Sequence, residues 1–146
     1  MLLQTKLQNM NGETNLQQLI KAMRPVLNSG TYVFCGLKHD HTVNFKDAVC
    51  LFREQEGVTV ILERSVADSL QLSYNFIAAW ITLTVHSSLS AVGLTAAFSG
   101  ALAHEGISCN VVAAFYHDHI FVAEEDAARA MAVLQNMSDS SQFERR

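Results

Sequence analysis

The stretch from Ile77 to Val85 constrains the fold of this chain most, because apolar and other side chains alternate along it without interruption. The odd positions hold Ile77, Ala79, Ile81, Leu83 and Val85. Successive side chains of a β-strand point to opposite faces, so this period of two predicts a long strand with one strongly buried face.

The segment that follows changes to helical spacing. Leu94, Phe98 and Leu102 lie on one helix face, and Gly106 stands where a glycine is expected just beyond a helix. The pattern then predicts a strand over Ile107–Phe115, a hairpin tip near His117 and Asp118, a strand over Ile120–Val122, a helix over Glu124–Met137 and a frayed tail over Ser138–Arg146. The second half is therefore expected to be β-α-β-β-α.

The first half contains similar elements in another order. A helix is predicted from Asn15 to Arg24, where Pro25 ends it. The pattern next predicts a strand over Tyr32–Leu37, an exposed loop over Leu37–Lys46, a hairpin of Ala48–Glu54 with Val58–Leu62, and a short helix over Ser65–Leu70. This half is expected to be α-β-β-β-α.

The two halves together predict an α+β protein with two ferredoxin-like subdomains of βαββαβ type, in which helices cover one face of antiparallel sheets. We expect one subdomain in residues 1–72 and the other in residues 73–146. With 146 residues, 49% of them hydrophobic, the chain is long enough for a real core. Glu56-Gly57 and Glu105-Gly106 each precede a predicted strand, which hints at duplication.

Composition excludes several classes of protein. The net charge is -4 and the basic residues are scattered, so no nucleic-acid partner is expected. No charged residue occurs from Ser69 to His104, but polar residues and the change from alternating to helical spacing argue against a membrane span. Three cysteines without a CxxC pair favour a reducing, cytoplasmic setting. The N-terminus lacks the features of a secretory signal, so the mature chain is expected to begin near Met1.

Several motifs resemble those of the ACT domain and, within it, of small stand-alone tandem ACT-like proteins. They lie at Gly30–Cys35, Phe52–Thr59, Thr84–Leu89 with Val92–Ala97, Gly106–Val111 and Tyr116–Val122, within a resemblance that covers roughly Leu16 to Leu134. The second half is also similar to the regulatory ACT repeats of aspartate kinases. The resemblance implies a ferredoxin-like fold, association through sheet edges or helices, and binding of an amino acid or similar ligand at an interface. No catalytic domain is attached, so no enzymatic activity is expected.

The candidate ligand site lies between the His86–Gly93 loop and the Ile107–Asn110 strand. The loop leads into a helix whose first N–H groups and positive dipole end attract a carboxylate. Serine hydroxyls in the loop can bind a ligand or, alternatively, cap the helix. Ser108 and Asn110 can bind the two ends of an amino acid, or can simply face solvent. The candidate residues are Ser87, Ser88, Leu89, Ser90, Val92, Gly93, Leu94, Ile107, Ser108 and Asn110.

Metal or acid–base chemistry is an alternative at His117, Asp118 and His119, with further ligands from His39, Asp40 and His41. Polar turns account for the same residues. Glu54 and Glu56 are interpreted as surface charges, and Cys35, Cys50 and Cys109 as core thiols. No phosphate-binding loop, zinc-protease helix or nucleophile elbow is present, and we expect neither a catalytic residue nor a cofactor.

The leading hypothesis is a non-catalytic ACT-type sensor that binds a small metabolite, most plausibly an amino acid, and forms a homodimer. The first alternative is an interaction module without a ligand that dimerises through exposed sheet edges. The second is a metal-dependent enzyme that uses His117 and His119.

Overall fold

The computed structural model describes residues 12–143, which form one antiparallel sheet with helices on one face. The strands are β1 (Pro25–Leu27), β2 (Tyr32–Leu37), β3 (Ala48–Arg53), β4 (Val58–Glu63), β5 (Ile77–Leu83), β6 (Asn110–Ala113) and β7 (Asp118–Ala123). The helices are α1 (Leu16–Ala22), α2 (Arg64–Ser69), α3 (Leu94–His104) and α4 (Ala127–Phe143), and a 3-10 turn, Glu124–Asp126, precedes α4. The α+β ferredoxin-like class expected from the sequence is confirmed.

Both halves share a single sheet, with the strand order β3-β4-β2-β5-β7-β6. The halves meet where Tyr32 and Val33 of β2 pair with Ala78 and Ile77 of β5. Strand β1 also pairs with β5, beside residues 81–83. The segment from β1 to the start of β2 therefore follows one edge of β5, and the two subdomain sheets are continuous.

A short irregularity separates β1 from β2 along that edge. Four residues, Asn28 to Thr31, stand opposite two residues of β5, and Gly30 adopts a left-handed φ of +84°. The Asn28 backbone N–H and side-chain amide both donate to the Trp80 carbonyl, at 2.9 and 3.1 Å. Asn28 therefore holds the chain against β5 where the regular ladder is interrupted.

The helix layer over the second half includes a helix from the first. The core there combines Leu19 and Met23 with Phe98, Leu102 and Leu134, all fully buried. Helix α1 precedes the subdomain boundary expected at residues 72 and 73, yet it packs mainly on α4. With β1 supplying a strand beside β5, the β-α-β-β-α pattern of the second half is completed by residues from the N-terminal half.

The first half has a thinner helix layer. Val33, Cys35, Val60 and Leu62 are covered by α2 through Ala67 and by partly buried residues around it. No helix connects β2 to β3, in contrast to α3 between β5 and β6. The two glycine echoes also occupy different places, since Gly57 lies in the β3–β4 turn and Gly106 lies between α3 and β6.

The structure differs from the expected elements most clearly at three places. Strand β1 was not predicted, because three residues that begin with a proline carry too little pattern. Strand β6 begins at Asn110 rather than Ile107, whose N–H instead bonds the Leu102 carbonyl at the end of α3. Helix α4 continues through Ser138 to Phe143, where a frayed tail was expected; residues 144–146 of that tail lie outside the described residues.

The buried Ser138 explains part of this extension. The Arg24 guanidinium donates to the Ser138 hydroxyl at 2.7 Å, and this hydroxyl donates to the Lys21 carbonyl at 3.3 Å. These contacts join α4 to the end of α1, and no local sequence pattern reports them.

The uncharged run from residue 69 to 104 spans strand, loop and helix rather than one long element. Within residues 12–143, no helix has the length and apolar content needed to span a bilayer.

Candidate ligand-binding site

The connection from β5 to α3 is a loop held in place by residues far away in sequence. The Glu13 N–H donates to the His86 carbonyl at 2.9 Å, and the Ser88 N–H donates to the Glu13 carbonyl at 3.0 Å. Gly12 lies so close that a Cβ at this position would stand 2.5 Å from the Ser88 nitrogen. The loop is therefore pinned by the segment that leads into α1.

The serines of this loop bond to one another and do not cap the helix. The Ser88 and Ser90 hydroxyls lie 2.8 Å apart, and the Ser90 N–H donates to the Ser88 hydroxyl at 3.2 Å. The N-cap of α3 is Gly93, which has no side chain to offer and has a φ of +102°. The alternative of serine capping is therefore not what the structure shows.

The N-terminus of α3 is left with free donors. The first backbone hydrogen bond of the helix runs from the Ala97 N–H to the Gly93 carbonyl at 2.9 Å. Within the described part of the chain, the N–H groups of Leu94, Thr95 and Ala96 have no capping side chain. Together with the helix dipole, they form an anion-attracting end of an 11-residue helix.

These donors open onto a cavity of about 390 Å³, a volume suited to a small metabolite. Most of its wall is apolar or backbone. The lining residues are Ser87, Ser88, Leu89, Ala91, Val92, Gly93, Leu94, Thr95, Ala96, Ala113 and Asp118.

Asp118 is the one carboxylate in this wall. It is the first residue of β7, pairs with Leu83 and Ala113, and shares the helix-covered side of the sheet with Leu83. It is only 6% exposed, and among residues 12–143 its carboxylate has no hydrogen bond or ion pair. Burial raises the pKa of Asp118, and the neighbouring His117 partly opposes this. Asp118 lines the cavity and no described side chain pairs with its carboxylate, so this position favours a cation.

The cavity contains six of the ten predicted residues: Ser87, Ser88, Leu89, Val92, Gly93 and Leu94. Ser90 belongs to the same loop but bonds Ser88 instead of lining the wall. Ile107 is buried in the core, Ser108 is exposed, and the Asn110 side chain donates to the Phe121 carbonyl at 3.2 Å. The structure therefore does not bring Ile107, Ser108 and Asn110 to this cavity.

The sequence interpretation missed Asp118 because it was grouped with the two flanking histidines. The sequence did contain a signal for this position. Asp118, Ile120 and Val122 are every second residue of β7, and Ile120 and Val122 are fully buried. The same period of two that identified β5 places Asp118 on the buried face.

His117 and His119 do not share a face of β7 with Asp118. The Trp80 indole N–H donates to the Nδ1 atom of His119 at 3.0 Å, and the Thr82 hydroxyl lies 3.2 Å from the same atom. Burial, with a further contribution from His117, lowers the pKa of His119, which keeps this ring neutral. In residues 12–143 no three His, Cys, Asp or Glu side chains converge as a metal ion requires.

The remaining reactive side chains lie apart from the cavity. Burial raises the pKa of the Cys35 thiol, and it raises that of Cys109 to about 11, so both thiols stay protonated at neutral pH. Glu54 accepts a short hydrogen bond from the Thr59 hydroxyl, which fits its interpretation as a surface residue. His39 approaches the Gln55 carbonyl at 3.2 Å, beside the β3–β4 turn.

Two ferredoxin-like units therefore share one sheet, and the open N-terminus of α3 follows the first strand of the second unit. ACT domain family profiles match residues 11–79 and, separately, residues 76–136. The chain belongs to the ACT domain family and carries two ACT domains in tandem. No catalytic family is indicated.

Solved structures agree with this assignment. A Vibrio cholerae protein of unknown function, described as a possible transport protein, is 42% identical with a TM-score of 0.74, over 84% of this chain and 95% of that one. An Agrobacterium tumefaciens protein is 15% identical with a TM-score of 0.62, over 80% and 89%. The regulatory subunit of aspartate kinase from Thermus flavus is 9% identical with a TM-score of 0.55, over 78% and 96%. The last two show the fold alone. No curated protein sequence matches the chain.

Proposed function

We propose that this protein is a non-catalytic regulatory protein that binds a free amino acid in the cavity beside α3. The α-carboxylate lies at the N–H groups of Leu94, Thr95 and Ala96, and the α-ammonium lies at Asp118. The observation that carries the proposal is that Asp118, a largely buried residue whose carboxylate has no hydrogen bond within residues 12–143, lines the same cavity as an uncapped helix N-terminus. A zwitterionic amino acid supplies a carboxylate for the N-terminus of α3 and an ammonium for Asp118.

The rest of the cavity wall suits the side chain of such a ligand. Leu89, Ala91, Val92 and Ala113 offer apolar surface, and no lining residue other than Asp118 is charged. We therefore expect small or aliphatic amino acids to bind more tightly than charged ones. The ten predicted site residues reduce in this proposal to the six that line the cavity, with Asp118 added.

Binding acts as a signal because the cavity loop is connected to the rest of the molecule. The loop is pinned to residues 12 and 13, which lead into α1, and α1 packs on α4. A ligand that orders the loop therefore biases the helix layer and, through it, association with a second copy. The three free thiols fit a reducing, cytoplasmic location.

The proposal is tested by thermal denaturation of the purified protein against the common amino acids. Each active amino acid is matched with two analogues, one lacking the amino group and one with the carboxylate converted to an amide. A ligand at about 100 times its Kd adds about 2.7 kcal/mol to the free energy of unfolding. Only the intact zwitterion is expected to raise the Tm by the full amount.

Two variants control this measurement. Asp118→Asn keeps the shape of the wall and is expected to lose most of the shift, while Asp47→Asn, at an exposed position in the β2–β3 loop, is expected to keep it. Equal shifts for an amino acid and its deaminated analogue would exclude the role of Asp118. No shift with any amino acid would contradict the proposed function.

A ligand-free interaction module remains the second candidate, because apolar side chains are exposed around the cavity. Leu89, Val92, Phe115 and Tyr116 are each at least 59% exposed. Patches of this kind commonly mark protein contacts. A dimer whose dissociation constant is unaffected by all amino acids, together with an unchanged Tm, would favour this candidate.

A further inference from the structure

The connection between β2 and β3 is a loop in a position where the second half has a helix. Strands β2, β3 and β4 correspond in chain order and pairing to β5, β6 and β7. In a βαββαβ unit a helix follows the first strand and covers the sheet, as α3 does after β5. Residues 38–47 form no helix, so the helix-covered side of the sheet is left partly uncovered in the first half.

A cavity of about 430 Å³ lies between this loop and the sheet, and we call it the loop cavity. Its sheet wall is apolar. Strand register places Leu51 opposite Val60 and Leu37 opposite Val58, on the same side of the sheet as α2. The volume lies within the range of small-molecule sites, and the wall offers a continuous apolar surface to part of a ligand.

The polar part of the loop cavity is basic. Arg53 extends the sheet wall beside Val58, and His39 and His41 come from the loop. No aspartate or glutamate lines this cavity, in contrast to Asp118 in the cavity beside α3. Within residues 12–143 the Arg53 guanidinium forms no hydrogen bond or ion pair. Its donors are therefore available to a carboxylate.

Contacts with the β3–β4 turn hold the loop in place. A Cβ at Gly57 would clash with the Leu37 carbonyl oxygen, so the end of β2 lies directly against this turn. The His39 Nε2 donates to the Gln55 carbonyl at 3.2 Å, and the His41 N–H donates to the Lys38 carbonyl at 3.0 Å. The part of the loop that carries the histidines is therefore positioned before any ligand binds, which lowers the entropic cost of binding.

We propose that the loop cavity binds an organic anion that combines one carboxylate with an aliphatic chain. The Arg53 guanidinium binds the carboxylate, with His41 as a further donor, and the chain lies on Leu51 and Val60. A free amino acid suits this cavity less well, because no wall carboxylate is present to bind its ammonium. The loop cavity shares no wall residue with the cavity beside α3, so the protein has separate sites for two classes of metabolite.

Octanoate is the probe for the test, and two-dimensional amide NMR spectra of the full-length protein locate its binding. Octanol lacks the charge, octylamine carries the opposite charge, and acetate lacks the chain. Octanoate is expected to shift the amide signals of Leu51 and Arg53, and each of the three control compounds should shift them less. The signals at the N-terminus of α3 should stay unchanged, because Asp118 in that cavity repels a second carboxylate.

Two variants with the same change of charge complete the test. Arg53→Gln should raise the Kd of octanoate about tenfold, the effect of losing one charge-assisted hydrogen bond. Lys46→Gln, on the same loop but outside the cavity wall, should leave this Kd unchanged. Both residues are exposed, and the spectra of the free variants verify that they are folded. Octanol that binds as tightly as octanoate, an unchanged Kd in Arg53→Gln, or amide shifts confined to α3 would each overturn the proposal.

Discussion

Asp118 shows how one residue acquires a role from its surroundings. Its carboxylate is buried beside the N-terminus of α3, and burial raises its pKa above the ordinary value of 3.8. A carboxyl with a raised pKa in the folded protein binds its proton more tightly there than in the unfolded chain. Without a ligand, ionised Asp118 therefore lowers the free energy of unfolding at neutral pH.

The first prediction at this scale concerns pH and stability. Relative to Asp118→Asn, the ligand-free wild type should become more stable as the pH falls from neutral through the pKa of Asp118. Urea denaturation of both proteins between pH 7 and pH 4 measures the difference. A constant difference across this range would mean that folding does not raise the pKa of Asp118.

The affinity for the ligand should depend on pH in the opposite direction, becoming weaker as the pH falls. The ammonium requires an ionised Asp118, so the Kd of an active amino acid is expected to rise as the pH falls through the raised pKa. Isothermal titration calorimetry at several pH values provides this measurement. A Kd that does not change down to pH 4 would show that the ammonium is bound elsewhere.

The pKa of His119, on the side of the sheet away from the helices, is shifted in the opposite direction. Its Nδ1 accepts a hydrogen bond from Trp80, and this requires the neutral ring with its proton on Nε2. Burial and the nearby His117 lower the pKa of His119 in the same direction. Its contribution to stability is therefore complete above its unfolded pKa, near 6.5, and is lost as the pH falls through the lower, folded value.

At the scale of elements, the start of α3 depends on a glycine. Gly93 has a φ of +102°, a left-handed conformation that other residues rarely adopt. A Cβ there would also stand 3.0 Å from Leu16 Cδ2. Gly93 therefore permits the left-handed backbone turn and the close contact with Leu16 of α1. It also leaves the N-terminus of α3 without a capping side chain.

Gly93→Ala should lower the free energy of unfolding by about 1–3 kcal/mol, the usual cost of a strained backbone position. Gly100→Ala is the control on the same helix, since no atom lies within 4 Å of its added Cβ. This change should stabilise the protein by about 0.5–1 kcal/mol, because alanine favours a helix. Urea denaturation compares the two variants, and equal effects would contradict the role given to Gly93.

At the scale of the whole molecule, the halves are interlocked. Leu19 of α1 and Met23, which follows the helix directly, are fully buried in the second-half core, and β1 covers part of the β5 edge. Residues 73–146 alone would expose that core and leave β5 without β1 and β2. The loss of two such side chains alone costs several kcal/mol, comparable to the stability of a small domain.

We therefore expect a fragment of residues 73–146 to lack cooperative unfolding and to aggregate. Addition of residues 1–72 as a separate chain should restore a soluble complex. Thermal denaturation and size-exclusion chromatography test both statements. If the fragment alone unfolds cooperatively with the Tm of the full chain, α1 and β1 are not part of its fold.

The sequence by itself determined most of the elements and the general position of the proposed ligand site. The alternation from Ile77 and the helical spacing from Leu94 predicted β5 and α3 because their apolar residues contact a nearby core at fixed spacing. The expected loop before α3 does line the cavity, since a helix N-terminus is a local property of the chain.

Only the tertiary structure decided what lies opposite that helix and which elements pack together. Asp118 reaches the cavity through strand pairing with Leu83, and α1 packs across the expected boundary onto α4. The joining of two sheets through β2 and β5 likewise left one broad aromatic face without a described cover. These contacts join residues distant in sequence, and their energies depend on register and burial, which no local pattern encodes.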